Sequence, residues 1–191
     1  MLFQTNYKDL QDHSYGPLPE GDYEFVIKSV AENATKSGAE SIQFNLVVRN
    51  DLDQALPETN GKYHNRQLWV DEWKRRATNQ YEVNNLMYFM QAAGIPEGTP
   101  INTMEDFYQI MTGKPVRIHI TVEDNTYNGK TTQVNRPAPW DWQQTKFPQV
   151  NHQWKNNTQT KPLTGAQMPT NGQNQTFQMP QQPAGQENFP F

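Results

Sequence analysis

Cysteine is absent from all 191 residues, which removes disulfides, thiol nucleophiles and cysteine-ligated zinc together and fits a reducing compartment. Also missing is any apolar run near the ~18 residues of a membrane helix, and the start Met1-Leu2-Phe3-Gln4-Thr5-Asn6 lacks a basic stretch followed by an apolar one. The expectation is a soluble, cytoplasmic, non-exported protein with no membrane partner, in which the sequons at Asn33, Asn156 and Asn174 are chance. Positive charge is scarce: Lys and Arg number 16 against 20 Asp and Glu, for a net charge of -4. That disfavours duplex binding by bulk phosphate neutralisation. It leaves a single strand open, because stacking on aromatic rings supplies ~1–3 kcal/mol per base, and aromatics make up 12% of the chain.

Enzyme signatures are missing as well. His13, His64, His119 and His152 are widely spaced, with no His-Glu-x-x-His or other close pair to hold a metal. Gly129-Lys130-Thr131 lacks the earlier glycine of a phosphate loop, since Asp124 stands there, and it opens a strand. No Gly-x-Ser-x-Gly element occurs, and the carboxylates show no local pairing. No catalysis, cofactor or metal is expected.

With a mean hydropathy of -0.95, the chain is too polar for one uniform globule, although its first 140 or so residues can bury an ordinary core. An irregular arm over 1–19, one domain over 20–140 and a Gln/Asn/Pro-rich tail over 141–191, read as disordered, follow from composition. Tyr23, Phe25 and Ile27 alternate with mostly polar residues, as do Ile42, Phe44, Leu46 and Val48, so two strands meet across the turn at Lys36-Ser37-Gly38. A third strand is predicted over Lys62–Val70. Leu86, Met87, Phe89, Met90 and Ala93 then take helical spacing up to Gly94 and Pro96. A second helix is predicted over Met104–Met111 behind Thr103 and Asp106 in capping-box positions. Val116, Ile118, Ile120 and Val122 mark a fourth strand, and Lys130 to Asn135 a fifth beyond the turn at Tyr127-Asn128-Gly129. The order fits a mainly β, five-stranded oligonucleotide-binding (OB-like) barrel with a helical insert between strands 3 and 4. A small α+β sheet packed by one helix fits it too.

Rings and cations fall together in Trp69, Trp73, Lys74, Arg75 and Arg76, while Lys36 sits at a hairpin tip and Arg49 and Arg117 lie opposite the apolar stripes. Stacking rings beside phosphate-pairing cations are what a single strand requires. The competing account makes Trp69 or Trp73 core and Lys74-Arg75-Arg76 a solvated helix start.

The segments Gly21-Asp22-Tyr23-Glu24-Phe25-Val26-Ile27, Thr35-Lys36-Ser37-Gly38, Ala92-Ala93-Gly94-Ile95-Pro96, Gly113-Lys114-Pro115-Val116 and Tyr127-Asn128-Gly129, in that order, resemble a phage family catalogued as a domain of unknown function and, with it, phage-encoded single-stranded DNA-binding proteins. The end Glu187-Asn188-Phe189-Pro190-Phe191 is similar to the tail of bacterial single-stranded DNA-binding proteins, but without their acidic run. The resemblance implies a non-catalytic protein of the host cytoplasm that holds single-stranded DNA during phage replication or recombination. Bases would stack on Trp69, Trp73 or Tyr127, with Lys36, Arg49, Arg66, Lys74, Arg75, Arg76, Arg117 and Lys130 along the phosphates. Glu187, Phe189, Pro190 and Phe191 would dock replication or recombination proteins. A phage interaction or structural module that binds no DNA, and a metal-dependent nuclease or annealing enzyme, are the alternatives. Oligomeric state, a homo-oligomer included, stays open.

Overall fold

The structure is a computed structural model and describes residues 16–154. The expectations for most of the N-terminal arm and for Glu187, Phe189, Pro190 and Phe191 lie outside the described residues.

Strand β1 (Gly21–Ala34) turns Tyr23, Phe25 and Ile27 inward, as the alternation requires. A bulge beside Lys28 shifts the phase, and Val30 takes the next buried position. Bulged strands bend, and this long strand serves two neighbours. It pairs with β2 (Glu40–Val48) from Phe25 onward and with β4 (Pro115–Ile120) from Gly21 to Val26. With β3 (Gln67–Trp73) beyond β2 and β7 (Trp142–Gln143) beyond β4, the sheet runs β3-β2-β1-β4-β7. Between β3 and β4 come α1 (Val83–Ala92) and α2 (Met104–Met111), the second opened by the expected box: Thr103 Oγ1 accepts the Asp106 N–H while Asp106 accepts the Thr103 N–H. The fold is mainly β with the element order of an oligonucleotide-binding fold.

Two strand assignments change. The third strand starts at Gln67, because Asn65 takes a left-handed φ of 62° and ends any extended run from Lys62. The segment Lys130–Asn135, β6, pairs only with β5 (Val122–Tyr127) in a separate ribbon. That ribbon is polar on both faces and has no apolar side to lay on a core. The fifth strand of the main sheet is β7, whose Trp142 lies opposite Ile118. Among the described residues no ladder joins β3 to β7, so the sheet is curled and open. The curl is deep: the Trp142 ring stands 5.2 Å from Phe44 on β2 and 4.7 Å from Phe89 on α1. Phe107 of α2 completes this aromatic centre, 6.2 Å from Phe44.

The polar loop at Asn60-Gly61 is also part of the interior. Asn60 is buried, its Nδ2 donating to the carbonyls of Glu24 at 2.8 Å and Arg49 at 3.0 Å while its Oδ1 accepts the Glu24 N–H at 3.0 Å. Gly61 passes so close that a Cβ there would stand 2.7 Å from the Asp53 carbonyl oxygen.

Past Trp140, where composition ends the domain, the chain stays packed. Thr145 Oγ1 and the Lys146 N–H donate to the buried Glu24 carboxylate at 2.5 and 3.2 Å. Arg49, fully buried, donates to the carbonyls of Phe147 at 2.6 Å and Gln149 at 2.5 Å and to both oxygens of Asp51, at 3.0 and 2.6 Å. The Asn151 N–H reaches Asp51 as well, and His152 Nδ1 accepts the Asn50 N–H at 3.2 Å. This strap is held by main-chain groups and buried polar side chains. Its own composition therefore carries no trace of the docking.

Removing one partner of a buried ion pair leaves the other charge uncompensated. We expect Arg49→Ala to lower unfolding free energy by ~3–5 kcal/mol, read by urea denaturation, whereas Lys36→Ala stays within ~0.5 kcal/mol. A loss under ~1 kcal/mol for Arg49→Ala would refute the strap.

Burial, opposed by the Asp51 carboxylate and aided by the Arg49 charge, lowers the pKa of His152 below 6.5. The unfolded chain then takes up this proton first, so the contribution is complete above pH 6.5 and declines as pH falls through that value. The urea midpoint should drop on acidification from neutral pH, and His152→Gln should flatten that part of the profile. Identical profiles for the two proteins would contradict the assignment.

Candidate nucleic-acid interface

The register that buries one face of β1, β2 and β3 turns three aligned rows outward. Ser29, Asn45 and Trp69 form one row, Ala31, Gln43 and Asp71 the next, and Asn33, Ser41 and Trp73 the third. On β3 the outward sequence is Trp69, Asp71, Trp73, with the rings about 13 Å apart at ~3.3 Å per residue. Both rings are open to solvent, Trp69 at 51% exposure and Trp73 at 44%. Beside them on β2 stand Gln43, half-buried, and Asn45 and Ser41, both buried, while β1 contributes the exposed Ser29, Ala31 and Asn33. The carboxylate between the rings is fixed: Ser41 Oγ donates to Asp71 Oδ1 at 2.9 Å and Gln43 Nε2 to the same oxygen at 3.2 Å. Asn45, opposite Trp69, is 5% exposed and its Oδ1 has no hydrogen-bond partner.

The expected phosphate contacts divide sharply. Arg49 does lie on the outward side, but the strap covers it and all its donors are used, so it cannot meet a phosphate. Lys74 is held between Glu40 and Glu32, the second at 3.1 Å, and these two carboxylates, Glu40 foremost, raise its pKa. Arg75 pairs with Glu82. Arg117 pairs with Asp22, which also takes His119 at 2.9 Å. Burial would raise the Asp22 carboxyl, but the hydrogen bonds from His119 and Arg117 outweigh it and hold the pKa low. Arg66 donates to the Gly16 carbonyl and lies over the Tyr63 ring. Lys36 is exposed at the β1–β2 tip, Arg76 is exposed after β3, and Tyr127 and Lys130 are exposed at the β5–β6 tip.

The structure thus brings Trp69 and Trp73 onto one face near the Lys36 hairpin. Tyr127 and Lys130 stand at the far end of β1, since β4 runs from Val26 back to Gly21 before the ribbon leaves it. Sequence reasoning missed Lys28 at the bulge and the Ser41, Gln43, Asn45 and Asp71 inlay. The period of two already sets Ser41, Gln43 and Asn45 opposite Ile42 and Phe44, and Asp71 opposite Val70.

Residues 3–162 match the family described as "Protein of unknown function (DUF669)". The chain belongs to that family. Among curated proteins none matches this DUF669 chain. Among solved structures it is similar to a chain of "Yeast RPA bound to ssDNA", at 10% identity, over 69% of this chain and 80% of that one, with a TM-score of 0.28. That is a low superposition, so the DUF669 face is judged on its own residues.

Elsewhere, the DUF669 domain opens an apolar groove beside α1, lined by Met87, Tyr88, Met90, Ile95, Ile101 and Trp140. Among the described residues no helix is long and apolar enough to cross a membrane, and no group of three or more His, Asp or Glu could hold a metal ion.

If Trp69 and Trp73 are surface rings and Trp142 a core one, truncation separates them. Trp142→Ala should cost ~3–5 kcal/mol in urea unfolding, and Trp69→Ala or Trp73→Ala under ~1 kcal/mol. Comparable losses at all three would contradict the division.

Proposed function

We propose that this protein is a non-catalytic single-stranded DNA-binding protein whose contact face is the outward side of β1, β2 and β3. One observation carries the reading: two tryptophan rings stand exposed on one strand face, each two positions from Asp71, with Ala31 the one aliphatic side chain in the aligned rows. Rings in that setting serve no core. They fit bases, each stack being worth ~1–3 kcal/mol. In oligonucleotide-binding folds the face of the second and third strands and the loop between the first two hold the strand, and here that loop carries Lys36. Few free cations at the face mean that stacking supplies most of the affinity. The salt dependence is correspondingly shallow.

Phage replication or recombination is the setting we assign, on the sequence resemblance. The segment Glu187 to Phe191 recruits partner proteins there, docking through its two Phe rings in the absence of the acidic run of bacterial tails. The second reading, a protein-docking module without DNA binding, draws on the apolar groove at α1.

Titrating a mixed-sequence single strand while following tryptophan fluorescence tests the proposal. Saturable quenching is expected, with Trp69→Ala and Trp73→Ala each weakening binding by ~1–3 kcal/mol, or about 5- to 150-fold. No saturable change at low salt, or full affinity in the Trp69→Ala, Trp73→Ala double variant, would refute it.

A further inference from the structure

The chemistry between the two rings is one-sided. Asp71 Oδ1 takes hydrogen bonds from Ser41 and Gln43, and among the described residues nothing donates to Oδ2. Gln43 spends an Nε2 hydrogen on Asp71, which leaves its Oε1 without a donor among the described residues. Asn45, nine-tenths buried under the same face, holds an Oδ1 with no partner. No cation stands in the aligned rows to neutralise Asp71. The patch framed by Trp69 and Trp73 therefore offers acceptors and negative charge.

Phosphate oxygens are acceptors and are repelled by such a patch, so a strand laid across the rings must keep its backbone at the rim and turn base edges towards Asp71. Base edges differ in what they present. Cytosine, adenine and guanine each carry an exocyclic amine that donates, whereas thymine has no amine and its one base donor, N3–H, stands between two carbonyl oxygens that a carboxylate repels. Carboxylates accept from the cytosine amine in known readouts.

We propose that the Trp69–Asp71–Trp73 face selects amine-bearing bases over thymine, with Asp71 Oδ2 accepting the exocyclic N–H of a base stacked on a neighbouring ring. This rests on the single-strand-binding reading of the same face and adds a base preference to it. Stacking alone is tolerant of sequence. Selection against thymine separates an acceptor-lined platform from a bare aromatic one.

Two pyrimidines of equal ring size make the test. Oligo-dC and oligo-dT of the same length are titrated at neutral pH into the full-length protein and into Asp71→Asn, in which the side-chain oxygen keeps the Ser41 and Gln43 bonds while the charge goes. The wild type should bind oligo-dC about tenfold more tightly than oligo-dT, and Asp71→Asn should bring the two within about twofold. Equal or tighter binding of oligo-dT by the wild type overturns the inference and leaves single-strand binding standing. So does a cytosine preference that survives Asp71→Asn. Failure to bind either strand overturns both readings.

Discussion

Phe44 lies fully buried on β2, flanked in register by Val30 on β1 and Val70 on β3. That row decides both sides of the sheet, since in a strand a slip of one residue exchanges every inward side chain for an outward one. With Phe44 inside against Phe89, Phe107 and Trp142, Gln43 and Asn45 have no choice but to face out. Trp69, Asp71 and Trp73 follow on β3 for the same reason. The aromatic core and the polar platform with its two rings are one decision.

The second constraint is the strap. It crosses the outward side of the sheet at Glu24 and Arg49 and is held by those two buried charges. The outward surface is thereby split into a covered half and an open half. The open half carries the exposed Trp69 and Trp73 rings. Charge is rationed in the same way: Arg49 goes to the strap, while Arg117, Lys74 and Arg75 go to carboxylates on the protein's own surface. In a chain with a net charge of -4, that leaves few cations free, which is why the proposed binding rests on stacking.

Much of this was legible in the chain. Periods of two in Tyr23–Phe25–Ile27 and Ile42–Phe44–Leu46–Val48 identified β1 and β2, and Thr103 with Asp106 marked the start of α2, because local pattern and capping chemistry act over a few residues. What was not legible depended on distant partners. Arg49 looked like a surface cation until carbonyls some hundred positions later closed over it. Lys130–Asn135 alternates as a strand does, yet nothing local says that its ladder is a free ribbon. Trp69 and Trp73 stand out as rings beside cations, but Asp71 between them has no pattern until the register aligns it with Gln43 and sets Ser41 within reach. Glu187, Phe189, Pro190 and Phe191 lie outside the described residues.

The central claim is that a single strand lies on the Trp69–Trp73 face and not in the groove beside α1. Indole N–H resonances in an NMR titration with single-stranded DNA address it directly, because the five tryptophans sample both surfaces and the core. The account predicts large shifts at Trp69 and Trp73 and still resonances at Trp142 in the core and Trp140 in the groove. Shifts led by Trp140, or Trp69 and Trp73 unmoved at saturating DNA, would contradict it.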